Sequence, residues 1–328
     1  MSGLLGLLRL SGADQSEGLF RSMCAALDCG APSRFEQYAN LEGSVRLAGF
    51  DAIRSSQMAQ TAAPEVCLLL DGELYNEDLI GENPAFSLIQ AWQKEGRNLL
   101  NRLNGACSII VYEAQNNQLT LICDCFASRP LYYLYCGDYF AFSSQLKPLL
   151  LLPGFNPKIS AEAVASFLGN GCILEGKCLL EGIRLLGPGQ TLTIRDQSIN
   201  VETYWKFEFD PCSEARSETA LAKELADLLL QAVQRRIKDN DQYAILLSGG
   251  LDSRAILGCA LRIHPDRLQQ TITWGNRSDL PESDIQIASQ LADITQSQHN
   301  IFILKPEAIP DHFRAVVRLS EGRTDAVG

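Results

Sequence analysis

The stretch AILLSGGLDSRAIL occupies residues 244–257 and joins three kinds of sequence. An apolar run leads into Ser248, two glycines follow, and an apolar stretch with helical spacing begins at about Asp252. This order predicts a buried strand, a tight turn and a helix. Gly249 and Gly250 lack a Cβ, so their backbone N–H groups can turn toward one point, which the positive end of the helix also faces. The turn is therefore predicted to bind an anion such as phosphate.

Asp252 narrows the kind of anion site that this turn would form. A carboxylate repels phosphate unless a divalent cation lies between them, so Asp252 predicts bound Mg²⁺. The hydroxyl groups of Ser248 and Ser253 add donors for phosphate oxygens. The stretch is not a P-loop, because no lysine follows the glycines at the required spacing. The alternative is an ordinary helix after a glycine turn, capped by Asp252 or Ser253.

The flanking sequence divides the chain into two predicted domains, residues 1–207 and 208–328. In the second domain apolar strands alternate with helices, which is typical of an α/β domain with a parallel sheet covered by helices. Its first helix, ETALAKELADLLLQAVQRRIK, is amphipathic, with Leu221, Leu225 and Leu228 on the apolar face. The first domain shows short strands separated by turn residues, which predicts antiparallel β structure with a few helices.

Two elements of the first domain can be predicted individually. The runs SIIVY at 108–112 and LTLIC at 119–123 flank a polar loop and predict a β-hairpin. The segment PAFSLIQAWQKEG predicts a helix with Pro84 in its first turn and Gly96 at its end. The predicted fold class is thus an α+β domain followed by an α/β domain.

Composition and charge restrict the partners of the chain. The formal net charge is −11 over 328 residues, and no block of Lys and Arg offsets it, so nucleic acid is not an expected partner. No apolar run approaches the roughly 18 residues of a membrane span, and the apolar N-terminus lacks a basic segment, so we expect a cytoplasmic protein. The 11 cysteines lie largely in apolar runs without zinc-ligand spacing, which indicates reduced, buried thiols.

In its strand-turn-helix setting, SGGLDS resembles the pyrophosphate-binding loop of the N-type ATP pyrophosphatases. Other segments resemble, in order, the asparagine synthetase family: MSGLLGLLRL, VRLAGFD, DGELYN, LNGACSIIVYEAQNNQLTLICDCFASRPLYY, FAFSSQLKPLL, LLEGIRLLGPGQTLTI and YW. The resemblance implies a glutaminase-like domain of Ntn type, in which helices flank two packed antiparallel sheets. It implies that the second domain uses ATP and Mg²⁺ to adenylate a carboxylate, releases pyrophosphate and forms an amide.

The same resemblance implies roles for individual residues. Asp252 would hold the metal, and the strand TITWG would bring its end near adenine. The implied nucleotide-binding residues are Leu247, Ser248, Gly249, Gly250, Leu251, Asp252, Ser253, Trp274 and Gly275. For Trp274 the alternative is packing in the core at the end of a strand. His299 matches the next family segment, with a structural role as its alternative.

The glutaminase half departs from the family where its chemistry lies. Active members begin Met-Cys-Gly and use the cysteine as nucleophile, whereas this chain has Ser2. Asp71 and Gly72 stand where the family has Asn-Gly, and an ionised carboxylate cannot donate to an oxyanion. Pro84 stands at the position of a family acid, which leaves Arg46 as a carboxylate anchor. We therefore expect glutamine hydrolysis to be lost, with an N-terminal serine hydrolase that uses Ser2 as an alternative.

The family pattern continues beyond Gly328 into a second acidic glycine-rich loop and a catalytic lysine, which we expect on a missing C-terminal half or a partner chain. The expected function is an ATP-dependent, amide-forming ligase of the kind used in asparagine biosynthesis. Its substrate would be a small-molecule or peptide carboxylate. A homodimer is one alternative for its assembly. One alternative resembles β-lactam synthetases and lasso-peptide cyclases, which use another amine. A second is a catalytically silent nucleotide-binding or regulatory protein.

Overall fold

The structure is a computed structural model that describes residues 3–11, 16–27, 34–51, 56–62, 64–174, 176–195, 198–209, 216–237, 242–276, 283–305, 307 and 309–321. Its contacts divide the chain into two units. The N-terminal unit is Met1–Glu208 together with the chain from Val316, and the C-terminal unit is Phe209–Ala315.

The N-terminal unit is built from two antiparallel six-stranded sheets. Sheet 1 has the order β10-β8-β9-β1-β3-β2, and its strands are β1 (Gly3–Arg9), β2 (Arg34–Ala39), β3 (Val45–Asp51), β8 (Tyr132–Cys136), β9 (Tyr139–Ser143) and β10 (Arg184–Leu185). Sheet 2 has the order β12-β11-β7-β6-β5-β4, and its strands are β4 (Ser56–Ala62), β5 (Glu65–Leu74), β6 (Gly105–Glu113), β7 (Gln118–Cys123), β11 (Gln190–Arg195) and β12 (Ser198–Thr203). Up to Glu208, the residues that the structure describes form the helices α1 (Ser16–Ala25), α2 (Pro84–Glu95) and α3 (Ala161–Asn170).

The apolar N-terminal sequence forms β1, a strand that is covered on both faces. Leu4 and Leu8 belong to the core cluster that also takes side chains from sheet 2. Leu5 and Leu7 belong to a second cluster, with Phe20 of α1. Because alternate side chains of a strand point to opposite faces, a strand between two apolar layers must be apolar throughout. A third cluster packs α2 against the other face of sheet 2, so two packed sheets lie between helices, as expected.

The two elements predicted individually are confirmed. Strands β6 and β7 form an antiparallel hairpin, joined by a 3₁₀ turn at Ala114–Asn116 and by Asn117 in a left-handed conformation. Helix α2 has Pro84 in its first turn, and Gly96 ends it with φ 57°. Asn83 caps the helix by accepting a hydrogen bond from the N–H of Phe86. Local sequence was sufficient here because turn and capping chemistry involve residues close in the chain.

The turn after β7 places an alanine in an unfavourable conformation. The buried carboxylate of Asp124 accepts from the N–H groups of Phe126 at 2.7 Å and Ser128 at 3.1 Å, which curls the chain around it. Ala127 lies inside this turn with φ 51°. A side chain with a Cβ costs roughly 1–2 kcal/mol in that region, whereas glycine adopts it freely.

We predict that Ala127→Gly stabilises the protein by about 0.5–1 kcal/mol, because relief of the backbone strain exceeds the added entropy of the unfolded chain. Chemical denaturation would measure the change. The matched control is Ala165→Gly on the exposed face of α3, which should destabilise by roughly 1 kcal/mol. Equal destabilisation by both substitutions would contradict the argument.

The C-terminal unit contains a parallel sheet with helices, as the alternating pattern predicts. Its sheet, sheet 3, has the order β13-β14-β15. The elements of this part of the chain are α4 (Glu218–Arg236), β13 (Tyr243–Leu246), α5 (Leu251–Ile263), β14 (Leu268–Gly275), α6 (Asp284–Thr295), β15 (Gln298–Ile303) and the start of α7 (Ile309–Ser320), of which residues 309–315 belong to this unit. Both strand pairs are parallel, so all three strands end at the same edge of the sheet.

Helix α4 is present as predicted, but its apolar face is largely exposed. Val233 near its end is buried in the core of this unit. Leu221, Leu225 and Leu228 are 46%, 68% and 54% exposed. The periodicity therefore predicted the helix and its apolar stripe, while the described part of the chain covers only the C-terminal end of that stripe.

Two general expectations can be compared with the described residues. Among them, no helix combines the length and the apolar composition that a bilayer crossing requires. Of the nine cysteines that the structure describes, Cys67, Cys107, Cys123 and Cys178 are buried.

Candidate functional site

The chain between β13 and α5 is anchored at its first residue. The N–H of Leu247 donates to the carbonyl of Ile272 in β14 at 2.8 Å, and the hydroxyl of Thr273 donates to the Leu247 carbonyl. The Leu247 side chain is only 2% exposed and belongs to the core cluster of this unit. Leu247 therefore fixes the start of the loop to the sheet rather than lining a ligand site with its side chain.

Two serine hydroxyl groups hold the loop in shape. The N–H of Ser248 donates to Ser253 Oγ at 3.1 Å, and the two Oγ atoms are 3.0 Å apart. The N–H of Gly250 donates to Ser248 Oγ at 3.2 Å. These contacts connect two serines that are five positions apart in the chain. Both hydroxyl groups can rotate to other partners, because each has a donor and two acceptor lone pairs.

The first turn of α5 has no side-chain cap. Gly250 is the N-cap residue, so the alternative in which Asp252 or Ser253 caps the helix is wrong. An N-cap residue is also described for helices α2, α3, α4 and α6. In each of them the N-cap is an Asn or Ser whose side chain accepts a hydrogen bond from an N–H of the first turn. The first N–H groups of a helix have no hydrogen-bond partner within the helix. At α5 they lie in a turn whose residues Gly250, Leu251 and Asp252 are all exposed. This end of the helix can receive an anion.

The next crossover brings a second carboxylate to the loop. Helix α6 is capped by Ser283, and its first residue is Asp284. The N–H of Gly249 donates to Asp284 Oδ1 at 3.0 Å. A Cβ on Gly249 would lie 2.6 Å from that oxygen, so only glycine permits this approach. Asp284 was missed by the sequence analysis, since a residue 35 positions away gives no local signal of the contact.

A cation also lies beside the loop. Nε of Arg254, on the first turns of α5, donates to the Gly250 carbonyl at 3.2 Å. Arg254 is exposed, as are Asp252 and Asp284, so these three charges are free to meet a charged ligand from solvent. Sequence reasoning passed over Arg254, although its position two residues after Asp252 was a usable signal.

The predicted adenine-contacting strand presents Trp274 to solvent. Its side chain is 52% exposed, so the alternative of core packing is wrong. Gly275 has another role: a Cβ there would lie 2.9 Å from the side chain of Ile285, so this glycine lets α6 approach the strand. His299 Nδ1 lies 2.9 Å from Thr271 Oγ1, a contact between neighbouring strands that agrees with the structural alternative.

The described residues contain no group of three or more His, Cys, Asp and Glu side chains arranged to hold a metal. Among the described residues, Asp252 is therefore not part of a preformed set of three or more metal ligands. This donor set is compatible with Mg²⁺, which commonly takes one or two carboxylates, with phosphate oxygens and water completing its octahedron. It does not resemble a structural zinc site, which needs four N or S ligands.

The structure describes all but one of the predicted glutaminase residues. Ser2 lies outside the described residues. Gly3 pairs with Phe50 and Leu7 pairs with Arg46, so Arg46 stands four positions along β3 from the partner of Gly3. Nε of Arg46 donates to Ser16 Oγ at 3.1 Å. At about 3.4 Å per residue, these four positions place the Cα atoms of Arg46 and Phe50 roughly 14 Å apart along β3. Pro84 opens α2.

Gly72 has an unusual backbone conformation, and its neighbour Asp71 has no hydrogen-bond donor when it is ionised. Gly72 has φ 116°, and a Cβ there would lie 2.1 Å from the carbonyl oxygen of Ala106. Asp71 is 2% exposed and lies in β5 between Ser56 of β4 and Ser108 of β6. An ionised carboxylate at this position can only accept hydrogen bonds, so it cannot stabilise a developing negative charge.

The thiol of Cys107, which lies opposite Gly72, is not suited to act as a nucleophile. Cys107 pairs with Gly72 across β5 and β6, and it is buried. Burial first, and then the carboxylate of Asp124, raises the pKa of the Cys107 thiol well above its ordinary value. The thiolate is the nucleophilic form, and this thiol stays protonated near neutral pH.

Comparisons with known proteins agree with these two units. A family of glutamine amidotransferase domains matches residues 1–205, and an asparagine synthase family matches residues 224–327. Asparagine synthetase (glutamine-hydrolyzing) 1 of Bacillus subtilis is 23% identical over 288 residues, which are 84% of this chain and 45% of the relative. Asparagine synthetase (glutamine-hydrolyzing) 3 of the same organism is 26% identical over 206 residues, 59% of this chain and 33% of the relative.

Other comparisons extend beyond these synthetases. Amidase chyE of Penicillium rubens is 24% identical over 259 residues, which are 74% of this chain and 37% of the relative. The solved structure of glutamine phosphoribosylpyrophosphate amidotransferase from B. subtilis, complexed with ADP and GMP, superposes with a TM-score of 0.42 at 13% identity over 98% of this chain and 71% of that chain. That similarity is too low to support a conclusion about function.

The chain spans less than half the length of these curated relatives. Its two antiparallel sheets between helices fit the Ntn-type amidotransferase fold, and its parallel sheet follows in the part that matches asparagine synthase. The chain therefore belongs to the asparagine synthetase family, with an N-terminal domain of the glutamine amidotransferase type.

Proposed function

We propose that the C-terminal unit binds ATP with Mg²⁺ and serves an ATP-dependent ligase that forms an amide. The observation that carries this proposal is the exposed first turn of α5, which lacks a side-chain cap. The residue directly before this turn is Gly250, which is also exposed. A Cβ on Gly250 would meet only Ser248 Oγ, at 3.2 Å, so a phosphate can come close to the backbone there. Backbone N–H groups and the helix dipole are suited to a polyphosphate.

The polar residues and glycines of the loop have specific parts in this proposal. Ser248, Gly249, Gly250 and Ser253 would contact the β- and γ-phosphates, and Asp252 would hold Mg²⁺. Mg²⁺ would neutralise charge on the departing pyrophosphate. Arg254 places a second positive charge at the same end of α5. The carboxylate substrate would attack the α-phosphorus, pyrophosphate would leave, and an amine would then displace AMP from the activated acid. The substrate class is a small-molecule or peptide carboxylate.

The test is binding followed by exchange. Isothermal titration should show ATP binding that requires MgCl₂, with AMP binding more weakly because it lacks the β- and γ-phosphates. Exchange of labelled pyrophosphate into ATP, measured with aspartate and a panel of other acids, tests activation of a carboxylate. ATP binding without exchange for any acid would favour the second candidate, a nucleotide-binding or regulatory protein without turnover. Absence of ATP binding would overturn both.

Trp274 supplies a separate prediction. Its half-exposed ring stands at the end of β14, beside the edge where the loop begins. If the ring stacks on adenine, Trp274→Ala should weaken ATP binding by roughly 5- to 10-fold, the amount expected for loss of one aromatic contact. Trp274→Phe is the matched control and should retain most of the affinity. Isothermal titration with ATP measures both variants, and unchanged affinity of Trp274→Ala would remove this residue from the site.

We also propose that the N-terminal unit does not hydrolyse glutamine. The support is the buried carboxylate of Asp71 in place of an amide donor, together with Ser2 in place of cysteine. The amine would then come from a source other than glutamine, as in the alternative in which the chain resembles β-lactam synthetases and lasso-peptide cyclases. Release of glutamate from glutamine at the rate of a buffer blank would support the proposal. Enzymatic release would contradict it and favour the serine hydrolase alternative.

The partner of the C-terminal unit is a further part of the proposal. The exposed leucines of α4 and the length of the relatives support a remaining portion of an asparagine synthase domain that packs on this unit. That portion would supply the second acidic loop and the lysine that family members use. Hydrogen exchange should show α4 protected when that portion is present and exposed when it is absent, and unchanged exchange of α4 would contradict this packing.

A further inference from the structure

Asp284 occupies a hydrogen-bond donor that the proposed polyphosphate would use. Its Oδ1 accepts from the N–H of Gly249 at 3.0 Å, and the space that a Cβ of Gly249 would fill is taken by Asp284 and by the side chain of Ile287. A carboxylate oxygen and a phosphate oxygen are both anionic acceptors, so they compete for one N–H. The loop is therefore occupied in part by the protein's own anion.

The charges around this contact determine when a ligand can displace the carboxylate. Two acids, Asp252 and Asp284, and one base, Arg254, lie at the loop, so its side chains carry one net negative charge. The N-terminal ends of α5 and α6 partly offset this charge. Two like charges a few ångströms apart near a protein surface repel appreciably, so a metal-free polyphosphate meets an opposing carboxylate at the donor it needs.

We infer that Asp284 is a positioning residue that holds the Gly249 N–H in place without nucleotide and makes polyphosphate binding depend on a divalent cation. With Mg²⁺ present, the ligand carries less negative charge, and its oxygen can replace the carboxylate at Gly249. Without Mg²⁺, the carboxylate keeps the donor. This inference rests on the proposed ATP site and adds a second source of metal dependence to the one expected from Asp252.

The test is Asp284→Asn, which keeps an Oδ1 acceptor for Gly249 and removes the charge. Binding of ATP and of inorganic pyrophosphate is measured by titration in MgCl₂ and in excess EDTA. We expect metal-free affinity to rise about 5- to 10-fold, while affinity in Mg²⁺ changes by less than about threefold. Asp284→Ala, which frees the Gly249 N–H, should also bind metal-free ATP more tightly than the wild type.

The matched control is Asp293→Asn, an exposed aspartate near the other end of the same helix, which changes the net charge equally. It lies nine residues along α6, or about 13 Å, and should leave both affinities nearly unchanged. A metal-free affinity of Asp284→Asn equal to that of Asp293→Asn would overturn the inference while leaving the ATP site intact. A loss of affinity in both conditions would show that Asp284 only supports the fold. Absence of binding by every protein, even in Mg²⁺, would overturn the ATP site as well.

Discussion

Replacing Asp252 with asparagine is expected to weaken binding of ATP in MgCl₂ by about 100-fold, or roughly 2.7 kcal/mol. Asp252 lies on the exposed first turn of α5, directly after the loop. Since the described residues offer no cage of three or more metal ligands, one lost carboxylate removes a large share of the protein's contribution to the metal. Asparagine keeps the shape and an oxygen but loses the charge that a hard cation prefers.

The same variant should bind metal-free ATP no worse than the wild type, because a repelling charge has been removed. This opposite response separates loss of a metal ligand from damage to the loop. Asp266→Asn, in the 3₁₀ turn that follows α5, changes the net charge equally and should have little effect on either affinity. Titration of each variant with ATP, in MgCl₂ and in EDTA, measures the difference. If Asp252→Asn lost affinity equally in both conditions, Asp252 would not be a metal ligand.

Replacing Gly72 with alanine is expected to destabilise the protein by roughly 3 kcal/mol or more. Two penalties add at this position. The backbone has φ 116°, where L-residues are strained, and the new Cβ would lie 2.1 Å from the Ala106 carbonyl oxygen and 2.8 Å from Cys107 Cα. Both atoms belong to the backbone of β6, in the middle of sheet 2, so neither can move without displacing the strand.

Gly137→Ala separates the two penalties. Gly137 has φ 58°, and no atom lies within 4 Å of its would-be Cβ, so only backbone strain applies. The expected cost is about 1 kcal/mol or less, since reduced entropy of the unfolded chain offsets part of the strain. Urea denaturation of both variants and the wild type gives the comparison. Similar stabilities of the two variants would show that sheet 2 can relax around an added methyl group.

Several features were predictable because they depend on residues close together in the chain. The hairpin between β6 and β7 and the ends of α2 followed from turn residues, Pro84 and Gly96. The strand, loop and helix around SGGLDS followed from one local change of periodicity. The resemblance of its segments indicated the family, and comparison confirmed it.

Features that join distant residues could not be predicted in this way. The sequence predicts the amphipathic helix α4, yet only packing shows that Leu221, Leu225 and Leu228 are exposed. It places Arg46 in a family segment, yet the register of β1 with β3 sets its distance from the start of β1. It could not distinguish a helix that begins at Leu251, with Gly250 as its N-cap, from one that begins later and is capped by Asp252 or Ser253.

By itself, the sequence determined that a glycine loop joins a strand to a helix and that residue 71 is an aspartate, whose ionised side chain accepts but cannot donate hydrogen bonds. Periodicity, glycine and side-chain chemistry are properties of neighbouring residues, and they survive without knowledge of the fold. Only the tertiary structure decided that Asp284 accepts a hydrogen bond from the N–H of Gly249 and that Trp274 is exposed. It also decided that Gly275 lets α6 pack close to β14. These depend on how separate helices and strands pack, because the parallel sheet brings the ends of distant segments to one edge.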